Sequence, residues 1–125
     1  MTLSALYEDI YRRLTEYEPL SHLLAGEKVY DFAPDKEAPS PYVVIGDTQE
    51  VEGRTMDDTE RKVFVRLHIW SAYSGRKEVI GIEREIEAAL EGDQYLFESS
   101  LILLDESDWM HGVVVFRTYI ERDDD

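Results

Sequence analysis

The chain has 125 residues, of which 43% are hydrophobic and 33% charged, a composition that fits one globular domain and is unlike that of a disordered chain or a membrane protein. It contains no cysteine, which excludes disulfides, thiolate metal sites and cysteine nucleophiles. Its 28 acidic and 13 basic residues give a net charge of -15, which argues against a protein that wraps nucleic acid, because phosphates require lysine and arginine contacts.

Two helices are predicted near the N-terminus. Apolar residues recur at spacings of three and four over residues 3–17, with charged residues between them, which is typical of an amphipathic helix. Thr2 or Ser4 could cap its start. Pro19 ends this helix and suits the first turn of a short second helix, which Gly26 closes and which carries Leu20, Leu23 and Leu24.

A long β-hairpin is predicted in the middle of the chain. A short strand candidate at residues 28–32 and a proline-rich loop at 33–41 precede it. Residues 42–52 begin with a nearly continuous apolar run, as expected where both faces are covered, and then turn polar. Residues 47–60 hold six acids and one base, Arg54. The two strands at 42–52 and 61–71 should therefore form arms that extend beyond the core.

The second arm of this hairpin has two unlike faces. Because side chains alternate along a strand, Val63, Val65, Leu67 and Ile69 form an apolar face. Aromatic and arginine side chains, which are enriched where one protein covers another, occupy the other face. We therefore expect either a neighbouring subunit or a helix of the same chain to cover it. Together with the last strand, this face contains Phe64, Arg66, His68, Trp70, Val113, Val115, Arg117 and Tyr119.

A third helix is predicted to run from Ser74 and Gly75 to Leu90, because apolar residues form one stripe along it. Arg76 and Lys77 lie in its first turn, where cations oppose the helix dipole at a cost of a few tenths of a kcal/mol each. Two explanations stay open for this pair. One is neutralisation by Glu78 and nearby acids, and the other is a contact with another subunit.

The C-terminal part, residues 95–121, reads as two or three strands separated by turns, and residues from about 122 onward should fray. The predicted fold is α+β: an antiparallel sheet with a long β-hairpin and helices packed on the sheet, in the order α-β-β-α-β-β. We expect a single domain over residues 1–125.

No catalytic or metal-binding group is predicted. His22, His68 and His111 fall in different elements and lack a ligand spacing such as HxxxH, so we interpret them as structural or surface residues. The segment "SAYSG" lacks the Gly-x-Ser-x-Gly spacing of a nucleophile elbow. Asp57 and Asp58 fit a solvated turn better than a cation site. We predict a protein that is not an enzyme and needs no metal or cofactor.

Four segments carry a resemblance to a known family: "EPLSHLLAGEKVYD", "PSPYVVIGD", "LHIWSAYSGRKEVIGIEREIEAAL" and "HGVVVFRTYIE". In order and spacing, over roughly residues 5–121, they resemble the tail-completion or tail terminator proteins of long-tailed bacteriophages, prophages and gene transfer agents. The blocks "HIWSAYSGR" and "HGVVVFR" are the most recognisable parts.

The resemblance implies a small α+β subunit that closes into a hexameric ring on the tail tube. Such a ring halts polymerisation of the tube protein and presents a docking face for the head connector or stopper, while DNA passes through without specific binding. The implied location is the head-proximal end of the virion tail, and the cytoplasm of the bacterial host before assembly. No membrane role is expected, because the N-terminus does not resemble a secretory signal and no apolar run approaches the ~20 residues of a span.

The resemblance also assigns candidate residues to two contacts. The tip of the hairpin, mobile in such proteins until it meets the tube, would contact the tail tube, and here it is more acidic than in a typical member. The predicted subunit interface is Phe64, Arg66, His68, Trp70, Arg76, Arg117 and Tyr119, and the predicted tube-contact loop is Glu52, Arg54, Met56, Asp57 and Asp58.

An alternative function is that of a DNA mimic, whose carboxylates imitate phosphates and occupy a DNA-binding partner.

Overall fold

The computed structural model describes residues 2–32, 34, 38–54 and 59–121. The predicted α+β class is confirmed. The predicted frayed tail from about residue 122 lies outside the described residues, and the single domain over 1–125 stays a prediction. The elements are α1 (Leu3–Glu16), α2 (Glu18–Leu24), β1 (Val29–Tyr30), β2 (Tyr42–Glu52), β3 (Glu60–Ser71), α3 (Lys77–Ala89), β4 (Leu96–Leu104) and β5 (Met110–Glu121).

The N-terminal helices begin and end close to the predicted residues. The Thr2 hydroxyl accepts a hydrogen bond from the Ala5 amide at 2.9 Å, which caps α1. Pro19 lies in the first turn of α2, and Ala25 ends this helix in the left-handed conformation at φ 58°. Among the described residues, no helix has both the length and the apolar character that crossing a bilayer requires.

The five strands form one sheet in the order β1-β2-β3-β5-β4. Strands β2 to β5 are antiparallel, as predicted, and β1 adds a short parallel pairing in which Val29 lies opposite Val43. The hairpin arms β2 and β3 stay paired as far as Glu52 and Arg61. The predicted hairpin is therefore confirmed as far as residues 54 and 59, and its tip lies outside the described residues.

The three helices of the described residues form one layer on one face of the sheet. On β3, the predicted apolar residues Val63, Val65, Leu67 and Ile69 are at most 1% exposed, and they share one core with buried residues of α1, α2, α3 and β5. Helix α3 packs tightly against β5 at Gly112, where a Cβ atom would lie 2.7 Å from Cγ1 of Val79. The other face of the sheet carries no helix of the described residues.

Two β-bulges interrupt the regular pairing of the sheet. Between Ile45 and Thr48, β2 carries one residue more than its partner β3. Between Phe97 and Ser99, β4 carries one residue more than β5. A bulge of this kind leaves the additional residue unpaired and increases the local twist of the strand. Both bulges contribute an acidic residue to the site described below.

Arg76 and Lys77, at the start of α3, have no ionic partner among the described residues. Arg76 is the N-cap residue, and Lys77 is the first residue of the helix. Glu78 accepts a hydrogen bond from the Ser71 hydroxyl, and neither cation forms an ion pair within the described part of the chain. Neutralisation of Arg76 by Glu78 is therefore not observed, and an intersubunit contact of Arg76 stays a prediction.

Candidate functional site

The candidate site is the face of the sheet opposite the helices, which we call the open face. Strand register arranges its side chains in rows that run across four strands. The two rows farthest from the hairpin tip are aromatic and apolar, and the rows nearer the tip also carry charge. In that order the rows are Tyr42, Trp70, His111 and Leu103; Val44, His68, Val113 and Leu101; Arg66, Val115 and Ser99; Gln49, Phe64, Arg117 and Leu96; and Val51, Lys62 and Tyr119.

Six of the seven predicted interface residues lie together on the open face, and all six are half-buried. The hypothesis that a helix of the same chain covers this face is wrong for the described residues, because their three helices pack on the opposite face. Arg76 lies elsewhere, exposed at the start of α3. The six residues are Phe64, Arg66, His68, Trp70, Arg117 and Tyr119.

Two histidines form a hydrogen bond in the centre of the open face. Nδ1 of His68 lies 2.9 Å from Nε2 of His111, and the ring centroids are 5.1 Å apart at an interplanar angle of 23°. Because the centroid separation exceeds the nitrogen–nitrogen distance by about two ring radii, the rings meet edge to edge. One imidazole therefore donates to the other, and only one of the two facing nitrogens carries a hydrogen.

An aromatic stack extends this pair. The indole ring of Trp70 lies on the imidazole of His111 with centroids 3.8 Å apart and planes within 8° of parallel. Burial lowers the pKa of His111, and the neighbouring His68 lowers it further, while Asp105 acts in the opposite direction. Both effects favour the neutral imidazole of His111.

The histidine pair does not form a metal centre in this arrangement. The two facing nitrogens are joined by their own hydrogen bond, and Asp47 approaches the opposite nitrogen of His68, with 3.8 Å between Oδ1 and Nε2. The donor atoms therefore do not converge on one point. In the described part of the chain, no cluster of three or more His, Asp or Glu side chains could hold a metal ion.

The bulge in β2 supplies a carboxylate to Arg66. Gly46 and Asp47 together lie opposite this arginine, and Oδ2 of Asp47 is 2.9 Å from its Nη1 atom. Glycine is required at the bulge, because a Cβ atom on Gly46 would lie 2.5 Å from Cδ2 of His68. A solvent-accessible pair of this kind stabilises the fold by no more than about 1 kcal/mol. Its larger effect is to neutralise an arginine that lies among the aromatic and apolar side chains of this face.

The bulge in β4 does the same for Arg117. The additional residue of this bulge is Glu98, whose Oε1 atom lies 2.9 Å from Nη1 of Arg117. Both arginines that interrupt an apolar face in the sequence thus have a carboxylate partner on the adjacent strand. Alternation along a strand could identify the arginines, but a one-residue bulge changes the pairing register and leaves no comparable signal in the sequence.

The hairpin end of the open face is covered by Arg54. Its guanidinium carbon lies 3.8 Å from the centroid of the Tyr119 ring, and its Nη2 atom lies 2.9 Å from Oε2 of Glu60. Arg54 was predicted to contact the tail tube, and it also belongs to the surroundings of the open face. Glu52 is exposed at the end of β2. The other residues predicted for the tube-contact loop, Met56, Asp57 and Asp58, lie outside the described residues.

Strand β4 widens the site with leucines that the sequence reasoning did not assign to it. Leu101 is 60% exposed and Leu103 is 37% exposed, although the residues opposite them on β5, Val113 and His111, are half-buried. Glu98 is the only charged residue of this nine-residue strand. The run "LILL" is apolar on both faces, so alternation could not indicate which leucines point away from the helices.

A comparison with protein-family models identifies the family. The model described as tail completion protein gp17 matches residues 8–121. The chain belongs to this family. The resemblance read from the four sequence segments is thereby confirmed, and a structural role associated with the phage tail is supported over an enzymatic one. A search of curated proteins gave no significant match.

Two solved structures show the same fold. One is a chain in the virion of a native gene transfer agent particle, with a TM-score of 0.82 and 19% identity over 96% of this chain and 95% of that chain. The other is the gp17 protein of bacteriophage SPP1, with a TM-score of 0.59 and 25% identity over 98% of this chain and 92% of that chain. The two-layer arrangement that leaves the open face without a helix is therefore a fold found in phage-type particles.

Proposed function

We propose that this protein caps the tail tube of a phage-like particle, ends polymerisation of the tube protein and forms the docking surface for the head connector or stopper. The observation that carries the proposal is the open face, an aromatic and arginine-bearing surface that no described helix covers. A ring of copies, six by the family resemblance, would give this surface a partner. In the virion, the protein would lie at the head-proximal end of the tail. Before assembly, it would be in the cytoplasm of the bacterial host.

The chemistry of the open face suits burial by another protein surface. Removing apolar surface from water contributes roughly 25 cal/mol per Å², and Trp70, Leu101 and Leu103 all retain exposed apolar surface. Burying an unpaired charge would cost several kcal/mol. Arg66 and Arg117 avoid this cost, because each enters the contact with a carboxylate already in place.

The acidic composition fits a conduit for DNA better than a DNA mimic. A net charge of -15 keeps phosphate groups from adhering, which is consistent with DNA passing through the ring without specific binding. A DNA mimic needs a surface dense in carboxylates. On the open face, arginine partners neutralise Asp47 and Glu98, so this surface does not imitate a phosphate backbone.

The test is to mix the protein with purified tail tubes and examine the tube ends by electron microscopy. We expect a terminal ring at one end and tubes that stop growing when more tube protein is added. Trp70→Ala should fold, with a modest loss of stability from the lost ring stacking, and should need about tenfold or more protein to form rings. Tyr73→Ala, an exposed aromatic outside the open face, is the matched control and should cap tubes normally.

Two results would contradict the proposal. In the first, the native protein leaves both tube ends bare at every concentration. In the second, Trp70→Ala melts normally and forms rings as readily as Tyr73→Ala, which would remove the open face from assembly.

A further inference from the structure

We propose that the open face of one copy packs on the groove between α2 and α3 of the next copy. The inference rests on the proposed function and deepens it by naming the surface that covers the open face. The groove lies in the helix layer, on the opposite side of the molecule from the open face. Pro19 and Leu23 of α2 and Gly81 and Arg84 of α3 line it.

The groove and the helix surface beside it expose apolar side chains. Leu23 is 41% exposed, although its neighbours Leu20 and Leu24 are fully buried. On the facing helix, Gly81 lines the groove and has no side chain to fill it, and the adjacent Ile80, outside the groove lining, is 38% exposed. The helix layer therefore carries its own apolar surface without a partner among the described residues, as the open face does.

Ring closure requires two different contact surfaces on each copy. Two open faces packed on each other would make a two-fold dimer, which is complete after two copies and cannot continue into a ring. A head-to-tail contact generates a ring when the rotation closes. The open face and the groove meet this requirement because they lie on opposite layers of the molecule, so each copy offers one surface to each neighbour.

Charge favours the same pairing. Most surfaces of two copies repel each other, because each chain carries a net charge of -15. The open face is an exception, since its two arginines are paired with carboxylates and Lys62 adds a further cation. The groove carries Glu18 and Glu85 against Arg84. Contact between the open face and the groove therefore avoids the repulsion that two acidic helix layers would meet.

Strand β4 offers a matched pair of positions for a photo-crosslinking test. Leu101 is 60% exposed and lies opposite Val113 on the open face, whereas Leu104 is 62% exposed and lies opposite buried Met110 on the helix side. Each is replaced by p-benzoylphenylalanine in a separate variant, and both variants should keep native melting because both positions are exposed. Rings formed on tail tubes are irradiated, and mass spectrometry locates the crosslinked residues.

We expect the variant Leu101→p-benzoylphenylalanine to crosslink to residues 18–25 or 77–90 of another copy. The variant Leu104→p-benzoylphenylalanine should not form that crosslink. Crosslinks from position 101 to β4 or β5 of another copy would indicate a face-to-face contact and overturn the inference. Crosslinks from position 101 to the tube protein would assign the open face to the tube and overturn it too. In both cases rings are present, so the proposed function stands. If no rings form, both fail.

Discussion

The hydrogen bond between His68 and His111 joins the two central strands through a single hydrogen. One additional proton turns it into a contact between an imidazolium donor and a neutral acceptor. Nε2 of His111 faces Nδ1 of His68, so a proton on Nε2 would place two N–H groups against each other wherever Nδ1 already carries the hydrogen. Acid should therefore loosen this part of the open face before it affects the apolar core.

This coupling predicts a pH dependence of stability through His111. Its pKa in the folded protein is lowered from 6.5. Between the folded value and 6.5 the unfolded chain binds more protons, so the free energy of unfolding rises with pH across that window and falls as the solution is acidified. We expect His111→Gln to lose less melting temperature than the native protein between about pH 7 and about pH 5.

The matched control for this measurement is His22→Gln, which changes an exposed histidine of α2 and should keep the native loss of melting temperature on acidification. Equal acid sensitivity of the native protein and His111→Gln would assign the pH dependence to carboxylates instead of the histidine pair.

For single residues, the sequence predicts the face to which a side chain points better than it predicts the side chains that it contacts. Alternation along β3 placed Phe64, Arg66, His68 and Trp70 on one face correctly. His68 and His111 are 43 residues apart in the chain, and they meet only because β3 and β5 pair in one particular register. That register depends on the whole sheet, so the histidine pair could not be read from residue spacing.

Among the elements, the seating of α3 on β5 depends on Gly112. A methyl group there would lie 2.7 Å from Cγ1 of Val79, closer than a van der Waals contact permits. We expect Gly112→Ala to lower the free energy of unfolding, measured by urea denaturation, by about 1–3 kcal/mol. Gly81→Ala is the control, since its Cβ atom would meet Leu23 at an ordinary 3.9 Å, and alanine within a helix should be neutral or stabilising.

The assignment of the clash to Val79 can be tested with a double variant. Val79→Ala removes the methyl group that a Cβ atom at position 112 would meet. The double variant Gly112→Ala with Val79→Ala should therefore lose less free energy of unfolding than the two single variants lose together, by about 0.5 kcal/mol or more. Strictly additive losses would mean that the helix shifts for another reason.

Helix and strand bounds were largely predictable because they follow from local periodicity and from stop residues. The predicted arms at 42–52 and 61–71 correspond to β2 and β3. Three features escaped this reasoning: the parallel pairing of β1, the two bulges and the exposure of Leu101. Each depends on which strand lies alongside, and a single strand contains no information about its neighbour.

For the whole molecule, the net charge of -15 opposes association of copies. Salt near 0.15 M shortens the screening length to about 8 Å and removes most of the repulsion between exposed acids. We expect sedimentation to show a rising fraction of ring as salt increases from about 0.01 M to about 0.15 M. Rings that dissociate as salt rises would mean that ion pairs between copies, instead of apolar contacts, hold the assembly.

The bulge in β2 also marks where this arm can change its length by one residue. Deleting Gly46 alone would remove the additional residue and let the strand run straight, so that Asp47 lay opposite Arg66 while Thr48 stayed opposite Val65. A change of one residue is therefore accommodated at the bulge, whereas elsewhere in this arm insertions and deletions should survive in homologues mainly as even-numbered changes. Lineages can lengthen or shorten the arm two residues at a time without exchanging its inner and outer surfaces.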